Sequence, residues 1–140
     1  MADVVELTPE ASSVSAARRF VAERLVALEL SDVADTAVLL TSELVTNSVL
    51  HARTEISLSV ERLNADRVQI CVRDGSRFSP RRRRHAHDAT TGRGIELLDK
   101  LAESWEVHVD ESGKTIRFVL SSGTDPWSAV NAADLMDAEL

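Results

Sequence analysis

Cysteine is nearly absent. Cys71 is the only one in 140 residues, so no disulfide can form within the chain, which fits a reducing compartment. It lies between Ile70 and Val72 and reads as a buried core thiol rather than a reactive one. Long apolar runs are absent too. None approaches the ~20 residues that span a bilayer, so no membrane partner is expected. The opening MADVVELTPE has neither the basic n-region nor the apolar h-region of a signal peptide. These absences together predict a cytoplasmic protein. Hydrophobic residues make up 44%, an ordinary share that argues against disorder. The length suits one domain with a sizeable core.

The net charge of -7 weighs against general nucleic-acid binding, and DNA is not an expected partner. The charge is unevenly spread. Residues 73–93 hold seven arginines and two aspartates, a net of +5, which leaves -12 for the rest. A basic island in an acidic chain suits an anionic ligand or an acidic partner.

Periodicity orders the elements. Val4 to Leu7 reads as a short strand that Thr8-Pro9 ends. Val14, Ala17, Phe20, Val21, Arg24, Leu25 and Leu28 follow helical spacing, predicting a helix over Ala11–Leu30. Ser31-Asp32 can cap a second helix over about Asp32–His51. Ile56, Leu58 and Val60 alternate, then Val68, Ile70 and Val72 do so after the turn Asn64-Ala65-Asp66, so the pair reads as a hairpin. Residues 76–91 are polar and aperiodic, a long loop of the functional or mobile kind. A short helix is expected over Gly94–Ala102, with Trp105 in the core. A second hairpin turns at Glu111-Ser112-Gly113. The order β-α-α-β-β-loop-α-β-β predicts an α/β (α+β) two-layer sandwich: a mixed, largely antiparallel sheet with helices on one face. The domain is expected over residues 1–120. Residues 121–140 hold four acidic residues and no basic ones and form an acidic tail, either frayed or docked on the body.

Several groups can carry chemistry. Glu43 and Asn47 are four apart and share a helix face, and His51 is one further step along it. A carboxylate beside a carboxamide suits a phosphate–metal site. The amide oxygen can ligate Mg2+, and the carboxylate can take a proton from an attacking hydroxyl. The same spacing also fits a solvated helix face. Asp74-Gly75 follows a buried strand. It is either a tight turn or a carboxylate that accepts from an exocyclic amine such as adenine's. Gly92-Arg93-Gly94 precedes the third helix, where backbone N–H groups can bind phosphate. Arg81 to Arg84 can meet phosphates, meet an acidic partner, or simply keep the loop soluble. Thr115 can bond near a base or serve only as a hairpin residue.

The order of these pieces is more specific than any one of them. SELVTNSVLHA resembles the N box of the GHKL (histidine-kinase-like) ATPases, and VRDG resembles the start of their first glycine box. TGRGIELLDKLAESWEV is similar to their second glycine box, in the form of small actinobacterial anti-sigma-factor serine kinases. The resemblance covers about residues 4–120 and implies a Bergerat-type ATP-binding fold. By position it implies Glu43 as general base, Asn47 as ligand of Mg2+, and Asp74 on the adenine amino group. Gly92, Arg93 and Gly94 would lie in the lid over the triphosphate, and Thr115 would help close the base pocket. The chain departs from the family where Asp-x-Gly-x-Gly would place two more glycines. Ser76 and Phe78 stand there. Phe78 would either cover the base or narrow the pocket.

The resemblance implies an ATP-dependent regulator that sequesters a sigma factor and phosphorylates a serine of an anti-sigma-factor antagonist. It also allows a homodimer. The altered glycine box favours an alternative, a non-catalytic protein-binding module with weak or no nucleotide binding. A sensor histidine kinase would need a phosphoacceptor helix ahead of the fold, and the sequence leaves no room for one. A topoisomerase or chaperone would need transducing domains.

Overall fold

The computed structural model describes residues 2–77 and 89–123, with residues 89–93 by backbone alone. The arginine run, Phe78 and the tail beyond residue 123 lie outside the described residues. The elements run β1 (Asp3–Leu7), α1 (Ser12–Ala27), α2 (Ala34–Asn47), β2 (Ile56–Asn64), β3 (Arg67–Asp74), α3 (Ala89–Leu101), β4 (Ser104–Asp110) and β5 (Gly113–Ser121). This is the expected order. The sheet reads β1-β2-β3-β5-β4, and all four strand pairs are antiparallel.

The alternation in β3 decides what each face of the sheet does. Val68, Ile70, Val72 and Asp74 are buried, and the residues between them are half-buried. The buried set shares a face with Leu58, Ile116, Phe118 and Leu120. The helices pack on that face. α1 contributes Ala17, Val21 and Leu25 at four-residue spacing, and α2 contributes Ala37, Leu40, Leu44 and Val45. α3 adds Ile95, Leu98 and Leu101. Burying such stripes between helices and sheet is the main source of stability, about 1.5–3 kcal/mol for each large side chain. The opposite face carries Ser57, Ser59, Gln69, Arg73, Thr115, Arg117, Glu106 and His108.

Some expectations change in detail. Cys71 is half-buried on the outer face, where the Arg117 guanidinium lies beside it. Ile70 and Val72 occupy the core register, so period-2 alternation turns the residue between them outward. Trp105 is half-buried against the core edge, its indole N–H donating to Asp99 at 2.9 Å. α1 stops at Ala27 because Glu29 adopts a left-handed φ of 59°. Leu30 N–H then reaches back to Leu25 C=O, a capping geometry that ends a helix. Ser31–Val33 forms a 3-10 turn, and α2 follows from Ala34 with no side-chain cap. Asp32 is therefore not the N-cap. Its carboxylate accepts from Ser122 Oγ at 2.8 Å and Gly123 N–H at 2.9 Å. Burial raises the Asp32 carboxyl, but the bonds from Gly123 and Ser122 outweigh it and hold the group below its ordinary range. No helix among the described residues is long and apolar enough to cross a membrane.

Candidate functional site

The site forms where the C-terminal end of α2 meets the end of β3. The buried stripe of α2 steps from Leu40 and Thr41 to Leu44 and Val45. Its next member is Ser48, also buried. At Ser48 the helix widens into one π turn, Ser48–Ala52, closed by Arg53 N–H on Ser48 C=O at 3.0 Å. Such turns are frequent at functional sites. Arg53 ends it with a left-handed φ of 57°. The wider turn breaks the four-residue step expected from Asn47 to His51, and His51 is exposed.

Asp74 is 3% exposed. A carboxylate so far from water needs partners, and it has three. Ser48 Oγ donates to Oδ2 at 2.5 Å, the Ser76 amide donates to Oδ1 at 2.9 Å, and Lys114 Nζ lies 3.5 Å from Oδ2. The turn that follows is held in place. Gly75 N–H donates to Thr54 Oγ1 at 2.7 Å, and a Cβ on Gly75 would come within 2.9 Å of the Thr54 methyl. Gly113 backs the same spot. At φ +152° a Cβ there would fall 2.1 Å from the Asp74 carbonyl oxygen, so this close approach requires glycine.

Asn47 precedes Ser48. Its Oδ1 is buried and has no hydrogen-bond partner among the described residues, an uncommon and costly condition. Gly94 lies over it, where a Cβ would meet Asn47 Nδ2 at 3.2 Å. Glu43 stands one turn earlier on α2, half-buried. The helix end thus brings Asn47, Asp74 and Gly94 together, with Glu43 one turn away along α2.

Two sequence expectations are corrected. α3 begins at Ala89, so Gly92, Arg93 and Gly94 lie within the helix rather than ahead of it. Thr115 pairs across the sheet with Arg73, on the face away from Asp74, and its hydroxyl accepts from Arg73 Nη1 at 2.9 Å. It does not reach the Asp74 pocket. The residue on that face is Lys114, paired with Asp74, because a shift of one residue in a strand exchanges faces.

Three contributors escaped the sequence reading: Ser48, Thr54 and Lys114. Ser48 was legible as the polar residue that continues the buried stripe of α2. Thr54 and Lys114 depend on tertiary register. Among the described residues no group of three or more His, Cys, Asp or Glu could hold a metal ion. A metal at Asn47 would therefore take most of its ligands from phosphate and water, as Mg2+ commonly does. The unpaired amide oxygen fits that role.

Comparison with known proteins agrees with this fold. The family model described as "Histidine kinase-like ATPase domain" matches residues 7–120. A search among curated proteins gives no match. Among solved structures, the chain is similar to the RsbU and RsbW domains of Rv1364c from Mycobacterium tuberculosis. That likeness has a TM-score of 0.67 at 15% identity and covers 87% of this chain and 32% of the other. It is also similar to the histidine kinase domain of the blue-light activated histidine kinase EL346 from Erythrobacter litoralis. There the TM-score is 0.51 at 18% identity, with 69% and 48% covered. The chain spans less than half the length of either. At these identities the likeness concerns the fold, whereas the family match extends over most of the sequence. The chain belongs to the histidine kinase-like ATPase domain family.

Proposed function

We propose that the chain binds ATP with Mg2+ at the α2–β3 junction and acts as a partner-switching regulator. In this reading it sequesters a sigma factor and phosphorylates a serine on an anti-sigma-factor antagonist. The observation that carries the nucleotide site is the adjacency of two unusual buried groups. Asp74 is a carboxylate at a core-facing register position, and Asn47 offers a buried amide oxygen with no partner among the described residues. Ser48, next to Asn47, bonds directly to Asp74.

Asp74 Oδ1, with only the Ser76 amide on it among the described residues, and Oδ2 would accept from the adenine amino group. A charged acceptor makes such a bond about twice as strong as a neutral one. Asn47 Oδ1 would ligate the metal, whose charge neutralises the phosphates when bound. Gly94, beside Asn47 without a Cβ, leaves room for the triphosphate, and the backbone of Gly92 and Arg93 would approach it. Glu43 would take the proton of the partner's serine hydroxyl. That oxygen then bonds to the γ-phosphorus, the bond to the β–γ bridging oxygen breaks, and ADP leaves. Phosphoryl transfer asks mostly for positioning and charge neutralisation.

One observation favours a second reading, a binding module without catalysis. Ser76 stands at a glycine position of the family pattern, and its amide is turned inward onto Asp74.

Calorimetric titration of ATP with Mg2+ tests the site. The expected result is saturable binding that Asp74→Asn weakens by about 10–100-fold, as for loss of a charged hydrogen bond. Absence of binding in the wild type would remove the nucleotide reading. Transfer of labelled phosphate to an antagonist protein, lost in Glu43→Gln, would separate kinase from module.

A further inference from the structure

We infer that Lys114 is an internal occupant of the nucleotide-base site and lowers the protein's affinity for ATP. The inference rests on the reading of Asp74 as the base-recognition residue. Lys114 is the cross-strand partner of Asp74 and shares its core-facing side. Its side chain is only 14% exposed and that of Asp74 is fully buried, with Nζ 3.5 Å from Oδ2. A lysine gives up hydration and rotamer freedom to lie there. The buried negative charge of Asp74 compensates it.

The acceptor capacity of Asp74 makes this a competition. A carboxylate has about four lone-pair positions. Ser48 and Lys114 approach one oxygen and the Ser76 amide approaches the other. Ser48 is fixed by the π turn, and Ser76 by the chain itself. Lys114 is the only one of the three on a long flexible stem. Its contact is longer than an ordinary hydrogen bond, so it is an ionic contact that can be displaced. An incoming base amine is neutral. To gain Oδ2 it must displace an ammonium whose charge matches the carboxylate better than its own dipole does, and at the second position on Oδ1 it meets a carboxylate whose charge that ammonium already compensates. The cost of parting the pair is drawn from the binding energy, and affinity falls accordingly.

Lys114 thus sets the affinity at which the site fills. Gly113 keeps it there, because the close backbone approach of β5 to Asp74 tolerates no side chain at position 113.

The test is ATP–Mg2+ calorimetry on the wild type, Lys114→Thr and Lys114→Met. The methionine variant keeps an apolar stem of similar length, so it stays informative if the shorter side chain destabilises the fold. Both variants are expected to bind at least about tenfold tighter than the wild type. Binding that appears only in the variants also supports the inference. Equal or weaker binding in the variants, with a wild type that binds, overturns the role of Lys114 and leaves the nucleotide site standing. Absence of binding in all three proteins overturns both.

Discussion

Arg73 and Asp74 are neighbours in β3, yet they belong to different environments. Arg73 points to the outer face. There it donates to Thr115 at 2.9 Å, to Asp110 at 3.1 Å and to Ser112 at 2.6 Å. Asp110 is 39% exposed at its side chain, so water and salt screen the pair. Arg117 with Glu106, and Arg67 with Glu103, repeat the pattern on that face. Asp74 points to the helices and meets Ser48 and Lys114 in the buried interior. The chemistry of the two sets is alike, but their energetics differ. Charge pairs on the outer face hold strands in register at low cost. The charge on the inner face is expensive unless matched, and such a residue persists where it has a task.

This contrast can be broken from either side. The largest effect is expected from Asp74→Ala. It strands the Lys114 ammonium and the Ser48 hydroxyl, and a loss of about 3–5 kcal/mol is expected in urea unfolding, as for removal of one partner from a buried ion pair. Arg73→Ala should cost far less, and raising the salt should shrink its effect further. If the two cost the same, the faces do not differ as described.

Ser48→Ala comes next. It removes the strongest neutral donor to Asp74, so a loss of about 1–3 kcal/mol is expected, with weaker ATP binding. A variant as stable as the wild type would mean that Lys114 and the Ser76 amide suffice for Asp74.

The smallest effect is a pH dependence on the outer face. The Arg73 guanidinium, then the Ser112 amide and hydroxyl, hold the Asp110 carboxyl well below its ordinary value of 3.8. A lowered folded-state pKa gives stability that is fully present above 3.8 and is lost as pH falls below it. The Tm advantage of the wild type over Asp110→Asn should therefore be constant near neutrality and fade below about pH 4. An advantage that persists unchanged to pH 2 would show that the carboxylate's charge is not its source.

What the sequence disclosed follows the same division. Element order was legible because alternation and helical spacing are local, as in Val68-Ile70-Val72 and Ala17-Val21-Leu25. Glu43, Asn47 and Asp74 were legible as candidates; the fold sets Asn47 next to Ser48, which bonds to Asp74, and leaves Glu43 one turn earlier on α2. The pocket role that the resemblance implies for Thr115 fails because the position in a strand that faces the core depends on the cross-strand register, and Lys114 holds it. His51 was lost to a π turn that no short-range pattern announces. Cys71 could have been read correctly from the alternation alone. Asp32 has the composition of a cap, but tertiary hydrogen bonds to Ser122 and Gly123 claimed it.

The hold of Asp32 on Ser122 and Gly123 has a practical consequence. It fastens the outgoing chain beside the start of α2, while Asn47 and Ser48 mark the other end of that helix. Fourteen helical residues separate the two ends, about 21 Å at 1.5 Å per residue. A fluorophore or affinity handle attached at residue 122 or 123 would start out remote from the Asp74 junction. This end is therefore the one by which to immobilise the protein for surface-based binding measurements, leaving the α2–β3 junction facing the analyte.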